Sequence, residues 1–233
     1  MSIRLRQICL VAEKLAPVIE DFKAVLGLEV CFKDPEVAVF GLENSLMPVG
    51  NNFIEVVAPV KENTAAGRYL KRRNGDGGYM VICQCDSHQV QLGRKQRAAE
   101  LNVRLVLDHD AKGEPEGNWM PAGGSGWTVA RRNDVVSAYT AVELQSADPR
   151  GLAERWAKIA ELPLRNDARG RIELPLDNAA IRFVEATDGR GEGLGGIDVV
   201  VADRKRLLEA AEQRGLRKGD DQVEICGTRF YLV

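Results

Sequence analysis

The 233-residue chain is 45% hydrophobic and 28% charged, a composition with enough apolar material for a core and none of the depletion that marks a disordered polymer. Lys plus Arg total 32 against 34 Asp plus Glu, and a net charge of −2 argues against the basic surface that a phosphate backbone requires. No apolar run approaches the roughly 18 to 20 residues of a membrane helix, and the N-terminus enters an alternating pattern at Ile3-Arg4-Leu5-Arg6, so a cytoplasmic protein with no membrane partner is expected.

Leu5 to Val11 alternates as a strand. Leu15, Val18, Ile19, Phe22, Val25 and Leu26 then follow i, i+3, i+4, i+7 spacing and predict a helix that Gly27 stops. Leu28 to Phe32, Val37 to Leu42 and Phe53 to Val57 predict three more strands, so the opening unit reads βαβββ. From Lys61 to Gly78 the chain turns polar: Thr64 to Lys71 reads as a short exposed helix and Asn74 to Gly78 as a loop. A second unit follows, with a strand at Met80 to Cys85, an N-cap at Asp86 or Ser87, a helix to Leu101, a stop at Asn102 and a strand at Val103 to Leu107. A third has a strand at Ala141 to Gln145 and a helix from Pro149 through Leu152, Trp156 and Ile159, halted before Pro163. The fourth runs from Ile197 to Val201 into a helix with Leu207, Leu208 and Ala211, ended by Gly215.

Aligned on their helix starts, the four units place Gln7, Met80, Ala141 and Gly196 at equivalent positions. Met47-Pro48-Val49-Gly50 also recurs as Met120-Pro121-Ala122-Gly123 at the spacing that separates Gln7 from Met80, which points to duplication. One such unit cannot cover both faces of its own strands, so the units are expected to pair and curl their sheets around shared cups. The fold class is therefore α+β, with four βαβββ modules in two domains. The first, residues 1–132, contains modules 1–60 and 77–132; the second and shorter, residues 138–233, contains modules 138–190 and 194–233. The boundary falls near Arg131 to Ser137. The five cysteines, Cys9, Cys31, Cys83, Cys85 and Cys226, are odd in number and have apolar neighbours, as core thiols of a reducing compartment do. Cys83 and Cys85 sit at strand spacing and should share a face.

The runs Gln7-Ile8-Cys9-Leu10-Val11, Val25-Leu26-Gly27-Leu28-Glu29-Val30 and Phe53-Ile54-Glu55-Val56-Val57-Ala58-Pro59 resemble the vicinal oxygen chelate superfamily, which includes glyoxalase I, bleomycin-resistance proteins and extradiol dioxygenases. The resemblance implies two fused glyoxalase-like domains with curled mixed sheets. It also implies a cup in which the first and last strands of two paired modules present ligands to a divalent metal ion that chelates adjacent substrate oxygens. Gln7 and Glu55 fall on two of those positions and carry suitable donors. Met80 occupies a third, and the fourth falls at Thr128 or Ala130; Met120-Pro121 stands where relatives of similar wording have His-Pro. With Gln7 and Glu55 alone, the divalent-metal ligand set is incomplete and a tightly held metal is not expected. The corresponding positions of the second cup are Ala141, Phe183, Gly196 and Phe230, which implies an apolar, structural partner domain.

Three functions follow from this pattern. In the first, a small oxygenated metabolite enters the first cup, Gln7 and Glu55 are the catalytic pair, and Glu55 acts as general base in lyase, isomerase or dioxygenase-like chemistry with altered or lost metal dependence. In the second, the cup binds or sequesters an aromatic or acidic small molecule without turnover, as resistance proteins of the superfamily do. In the third, side chains fill both cups and Glu55 is a buried carboxylate paired with a neighbour such as Arg4 or Arg6. Tyr79, Met80, Trp119, Trp127 and Thr128, with Tyr69, are the candidate ligand-binding residues. His88 reads as a surface residue at a helix start, and Asp108-His109-Asp110 would bind a cation only if the segment curls. The expected partner is a small molecule, with the protein a monomer or homodimer.

Overall fold

Two mixed sheets are laid down in chain order by the alternating segments. The computed structural model describes residues 3–85, 87–101, 106–108 and 117–233. The first sheet contains β1 (Ile3–Val11), β2 (Leu42–Val49), β3 (Asn52–Pro59), β4 (Gly77–Cys85) and β5 (Val106–Asp108), in the order β2-β3-β1-β4-β5. The second contains β6 (Val136–Ser146), β7 (Arg165–Asn166), β8 (Ile172–Pro175), β9 (Ala180–Glu185), β10 (Gly193–Val201), β11 (Gln222–Ile225) and β12 (Thr228–Leu232), in the order β11-β12-β10-β6-β9-β8-β7. In both sheets the opening strands of two modules lie antiparallel at the centre, β1 against β4 and β6 against β10. Each pairs in parallel with a later strand of its own module.

The helices form where the apolar spacing places them. In α1 (Leu15–Leu26) all six expected residues are buried, and Gly27 closes the helix at φ 69 with its N–H on Lys23 O. A side chain at Gly27 would meet Val135, at the start of the second half of the chain, at 2.8 Å. Ser87, Asp148 and Asp203 cap α3 (His88–Glu100), α4 (Pro149–Ala160) and α5 (Arg204–Gln213) through their side chains. The expected N-cap Asp86 and stop Asn102 lie outside the described residues. Among the described residues no helix is long and apolar enough to cross a membrane.

Three local expectations change. The segment read as a strand at Val37 to Leu42 is a 3-10 helix, Pro35–Phe40, capped by Asp34, and the strand follows it as β2. Of Leu28 to Phe32 only Phe32 is bridged, to Leu46. The helix expected to be exposed near Thr64 is α2 (Ala65–Arg73), which buries Ala66, Leu70 and Arg73. Arg73 donates across the molecule to the carbonyls of Arg190, Gly191 and Glu192, and so ties α2 to the loop that leads into β10.

The helix-bearing faces of the two sheets share one continuous core, in which Phe22 of α1 meets Phe230 of β12 edge to face at 5.7 Å. Cys83 and Cys85 are both buried in it, on one face as their spacing predicts, and all five cysteines are free. The opposite face of each sheet is the floor of a cup.

Candidate functional site

Pleating sends Gln7 and Cys9 of β1, Phe53 and Glu55 of β3, and Met80 and Ile82 of β4 to the floor of the first cup, where the strand register sets them side by side. A bulge between Leu5 and Gln7 lets consecutive residues Arg6 and Gln7 both face the same tryptophan. The Arg6 guanidinium lies 5.4 Å from the ring centroids of Phe53 and Trp119, and the Gln7 amide oxygen accepts from Trp119 Nε1 at 2.7 Å.

The structure brings Gln7 and Glu55 together. Gln7 is 2% exposed and Glu55 7%. Gln7 Nε2 donates to Glu55 Oε2 at 2.8 Å, and Asn44 Nδ2 of β2 donates to Oε1 at 2.6 Å. Both amides are locked in direction. The indole of Trp119 is a donor only and fixes the oxygen end of Gln7; the backbone N–H of Asp34, also a donor only, fixes the oxygen end of Asn44 at 2.8 Å. Each amide can therefore offer Glu55 nothing but N–H. Burial raises the Glu55 carboxyl pKa above its ordinary value, while hydrogen bonds from Asn44, Cys9 and Gln7 act in the opposite direction. The adjacent Cys9 thiol is pushed well up by burial and then by the Glu55 charge.

This donor set does not fit a divalent metal. Gln7 Oε1 is committed to Trp119, both Glu55 oxygens accept from fixed amides, and the third position is the thioether of Met80, a poor ligand for a hard cation. The fourth position is corrected by the backbone itself. Thr128 and Ala130 lie on a 3-10 helix, Gly126–Ala130, rather than on a strand, and Thr128 is exposed with its hydroxyl on Ser125 O. Among the described residues no three His, Cys, Asp or Glu side chains converge. His88 is exposed at the start of α3, with its ring on Gln91, and His109 lies outside the described residues.

Trp119 and Trp127 are each 1% exposed and pack against Phe53, Leu46 and Ile82, so they plug one end of the cup instead of lining an opening. At the other end Tyr69 and Tyr79 meet edge to face at 4.9 Å, and Met80 separates the two clusters. Beyond Tyr79 and Met80 a slot of ≈ 630 Å³ opens between the first sheet and α4. It is lined by Tyr69, Tyr79, Met80, Trp156 and Leu194 and edged by Arg72 and Arg155. Arg155 is paired with Glu192 at 3.3 Å, whereas Arg72 lies over the Tyr69 ring and forms no salt bridge among the described residues. Of the expected ligand-binding residues, Tyr79 and Met80 thus reach an open space, with Tyr69; Trp119, Trp127 and Thr128 do not. Asn44, Arg72 and Trp156 were not expected: Asn44 because its strand was placed too early, the other two because the slot joins modules distant in sequence.

The second cup also departs from expectation. Phe183 and Phe230 point into the shared core, and their neighbours Arg182, Arg229 and Tyr231 face the cup. Arg182 makes a two-pronged contact with Asp198 at 2.7 and 2.8 Å and bonds Glu143; Glu143 in turn accepts from Arg229 and the Tyr231 hydroxyl. The floor is charged, not apolar.

No family model and no curated relative matches the sequence. Solved structures do match its shape. A hypothetical protein from Staphylococcus aureus aligns over 100% of this chain and 99% of its own with a TM-score of 0.62 at 12% identity. A mutant 4-hydroxymandelate synthase from Streptomyces coelicolor aligns over 92% and 77% at 0.63 and 14% identity. The fold is glyoxalase-like. A xylose isomerase-like TIM barrel/4-hydroxyphenylpyruvate dioxygenase fusion protein also aligns, over 94% of this chain and 39% of its own, at 0.63 and 12% identity. The synthase and the fusion protein belong to the vicinal oxygen chelate superfamily, and at these identities the likeness is one of fold.

Proposed function

We propose that this glyoxalase-like chain binds a small oxygenated molecule bearing an aromatic ring and an acidic group, without metal and without turnover, in the slot beside the first cup. The observation that carries this reading is the closure of the cup around Glu55, which leaves the slot past Tyr79 and Met80 as the open space next to it. An aromatic wall favours a flat ring, and Arg72 offers a cation to a carboxylate. The synthase among the structural neighbours is named for an aromatic hydroxy acid of this kind.

4-Hydroxymandelate is therefore a suitable probe. It is expected to raise the melting temperature in a concentration-dependent way. Arg72→Gln should weaken its binding by about tenfold or more, the effect of losing one charge-assisted contact, and Tyr79→Leu should weaken it as well. Absence of stabilisation by this compound and by related aromatic acids, or equal binding by both variants, would refute the assignment. A second reading keeps Glu55 as a general base oriented by Gln7, and the raised carboxyl pKa favours it.

A further inference from the structure

Glu192 is the one carboxylate among the described residues that line the slot, against two cations, Arg72 and Arg155. Its backbone is fixed from behind: the buried Arg73 donates to the carbonyls of Arg190, Gly191 and Glu192 at 2.6, 2.8 and 3.0 Å. Its side chain is held through one oxygen only. Oε2 accepts from the Ser146 hydroxyl at 2.9 Å and from Arg155 Nη2 at 3.3 Å, while Oε1 has no hydrogen-bond partner among the described residues. The side chain is 53% accessible, so a molecule in the slot can reach it.

Glu192 and Arg72 edge the same end of the slot. The adjacent Gly193 lies so close to Tyr69 that a side chain there would meet the Tyr69 hydroxyl at 3.2 Å, and Arg72 lies over the Tyr69 ring. Arg155 is already committed to Glu192, so the first acidic group of a ligand goes to Arg72. Whatever that ligand carries beside its carboxylate then comes toward a negative oxygen that lacks a donor. A hydroxyl supplies the donor. A second carboxylate meets a like charge and has to compete with Glu192 for Arg155.

We infer that Glu192 is the specificity-determining residue of the slot, and that it selects aromatic acids with one carboxylate and a neighbouring hydroxyl over aromatic diacids. This selectivity rests on the slot being the binding site, as proposed above, and decides which aromatic acids enter it.

Mandelate, phenylacetate and phenylmalonate share a ring and a carboxylate and differ in the group beside that carboxylate: a hydroxyl, a hydrogen or a second carboxylate. Titration calorimetry of the whole protein with each, at neutral pH and equal ionic strength, is expected to rank mandelate above phenylacetate by about fivefold and phenylmalonate below both, steps of the size that a partly exposed charged contact provides. Glu192→Gln keeps the shape of an exposed side chain and removes its charge. In that variant the affinity for phenylmalonate relative to mandelate is expected to rise about tenfold, because the hydroxyl contact weakens and the repulsion goes. Arg72→Gln is expected to weaken binding of all three. Equal binding of the three acids by the parent chain, or an unchanged ratio in Glu192→Gln while Arg72→Gln still weakens binding, would overturn the role of Glu192 and leave the slot standing. If none of the three binds the parent chain, both fall.

Discussion

Replacing Arg182 with methionine is expected to destabilise the chain by about 3–5 kcal/mol, the range for stranding a buried charge, and to lower the melting temperature by on the order of 10 °C. The side chain is 4% exposed and lies between Glu143 and Asp198, themselves 6% and 15% exposed. Burial opposes the Arg182 charge, but hydrogen bonding and charge from Asp198, followed by Glu143, outweigh it and raise its pKa. Removing the cation leaves Asp198 without its two-pronged partner and Glu143 with only Arg229 and Tyr231. The exposed pair Arg206–Asp134, whose side chains are 57% and 54% accessible, provides the comparison. Arg206→Ala should cost no more than about 1 kcal/mol. Denaturant unfolding of the two variants checks the difference, and equal small losses would show that the charged floor is not a keystone of the second cup.

Glu55→Ala is expected to cost roughly 2–5 kcal/mol, because it orphans two buried amide donors that cannot turn away. Trp119 and the Asp34 N–H hold Gln7 and Asn44 in their present directions. Glu55→Gln should be milder yet still destabilising, since one fixed N–H would then face another. It carries a pH signature as well. The folded carboxyl pKa is raised, chiefly by burial, so the folded chain keeps its proton to higher pH than the unfolded chain. The stability this group contributes is therefore fully present below the ordinary carboxyl value and is lost as pH rises through the raised one. The advantage of the parent chain over Glu55→Gln should be greatest on the acid side of that window and smaller above it. Unfolding curves of the two proteins across the window test this; an unchanged stability for Glu55→Gln together with loss of a measurable turnover would favour the general-base reading.

Much of the architecture was legible in the sequence because each helix announces itself by spacing and a stop. Leu15 to Gly27 and Pro149 to Ile159 contain everything needed to place α1 and α4. Strands are harder wherever a turn shifts the count by one. Val37 to Phe40 alternates well enough to read as a strand, but Asp34 and Pro35 supply an N-cap and a first-turn proline, and a 3-10 turn forms there instead. That displacement hid Asn44, which holds one side of Glu55.

The same slip inverted the second cup. Carrying the pattern of the first cup over to the second placed Phe183 and Phe230 on its floor, and with a side-chain period of two an error of one residue exchanges the floor for the core. The strand itself held the clue. In Ala141-Val142-Glu143-Leu144-Gln145 the polar residues alternate with Val142 and Leu144, which belong to the shared core. Gln7 and Glu55 were singled out by the resemblance, and the parallel register of β1 and β3, which holds over five residue pairs, brings them to one floor. The slot depends on α4 and the β10 entry meeting β4, a contact between modules far apart in the chain that no local pattern encodes.

Glu55 is the common acceptor of two fixed amide donors, and that arrangement gives it no part in holding a cation. Metal analysis of protein purified without chelator tests that most directly. Well under one equivalent of zinc, nickel, iron or manganese per chain is expected, before and after incubation with the free ions and desalting. A stoichiometric metal whose retention is abolished by Glu55→Ala would contradict it.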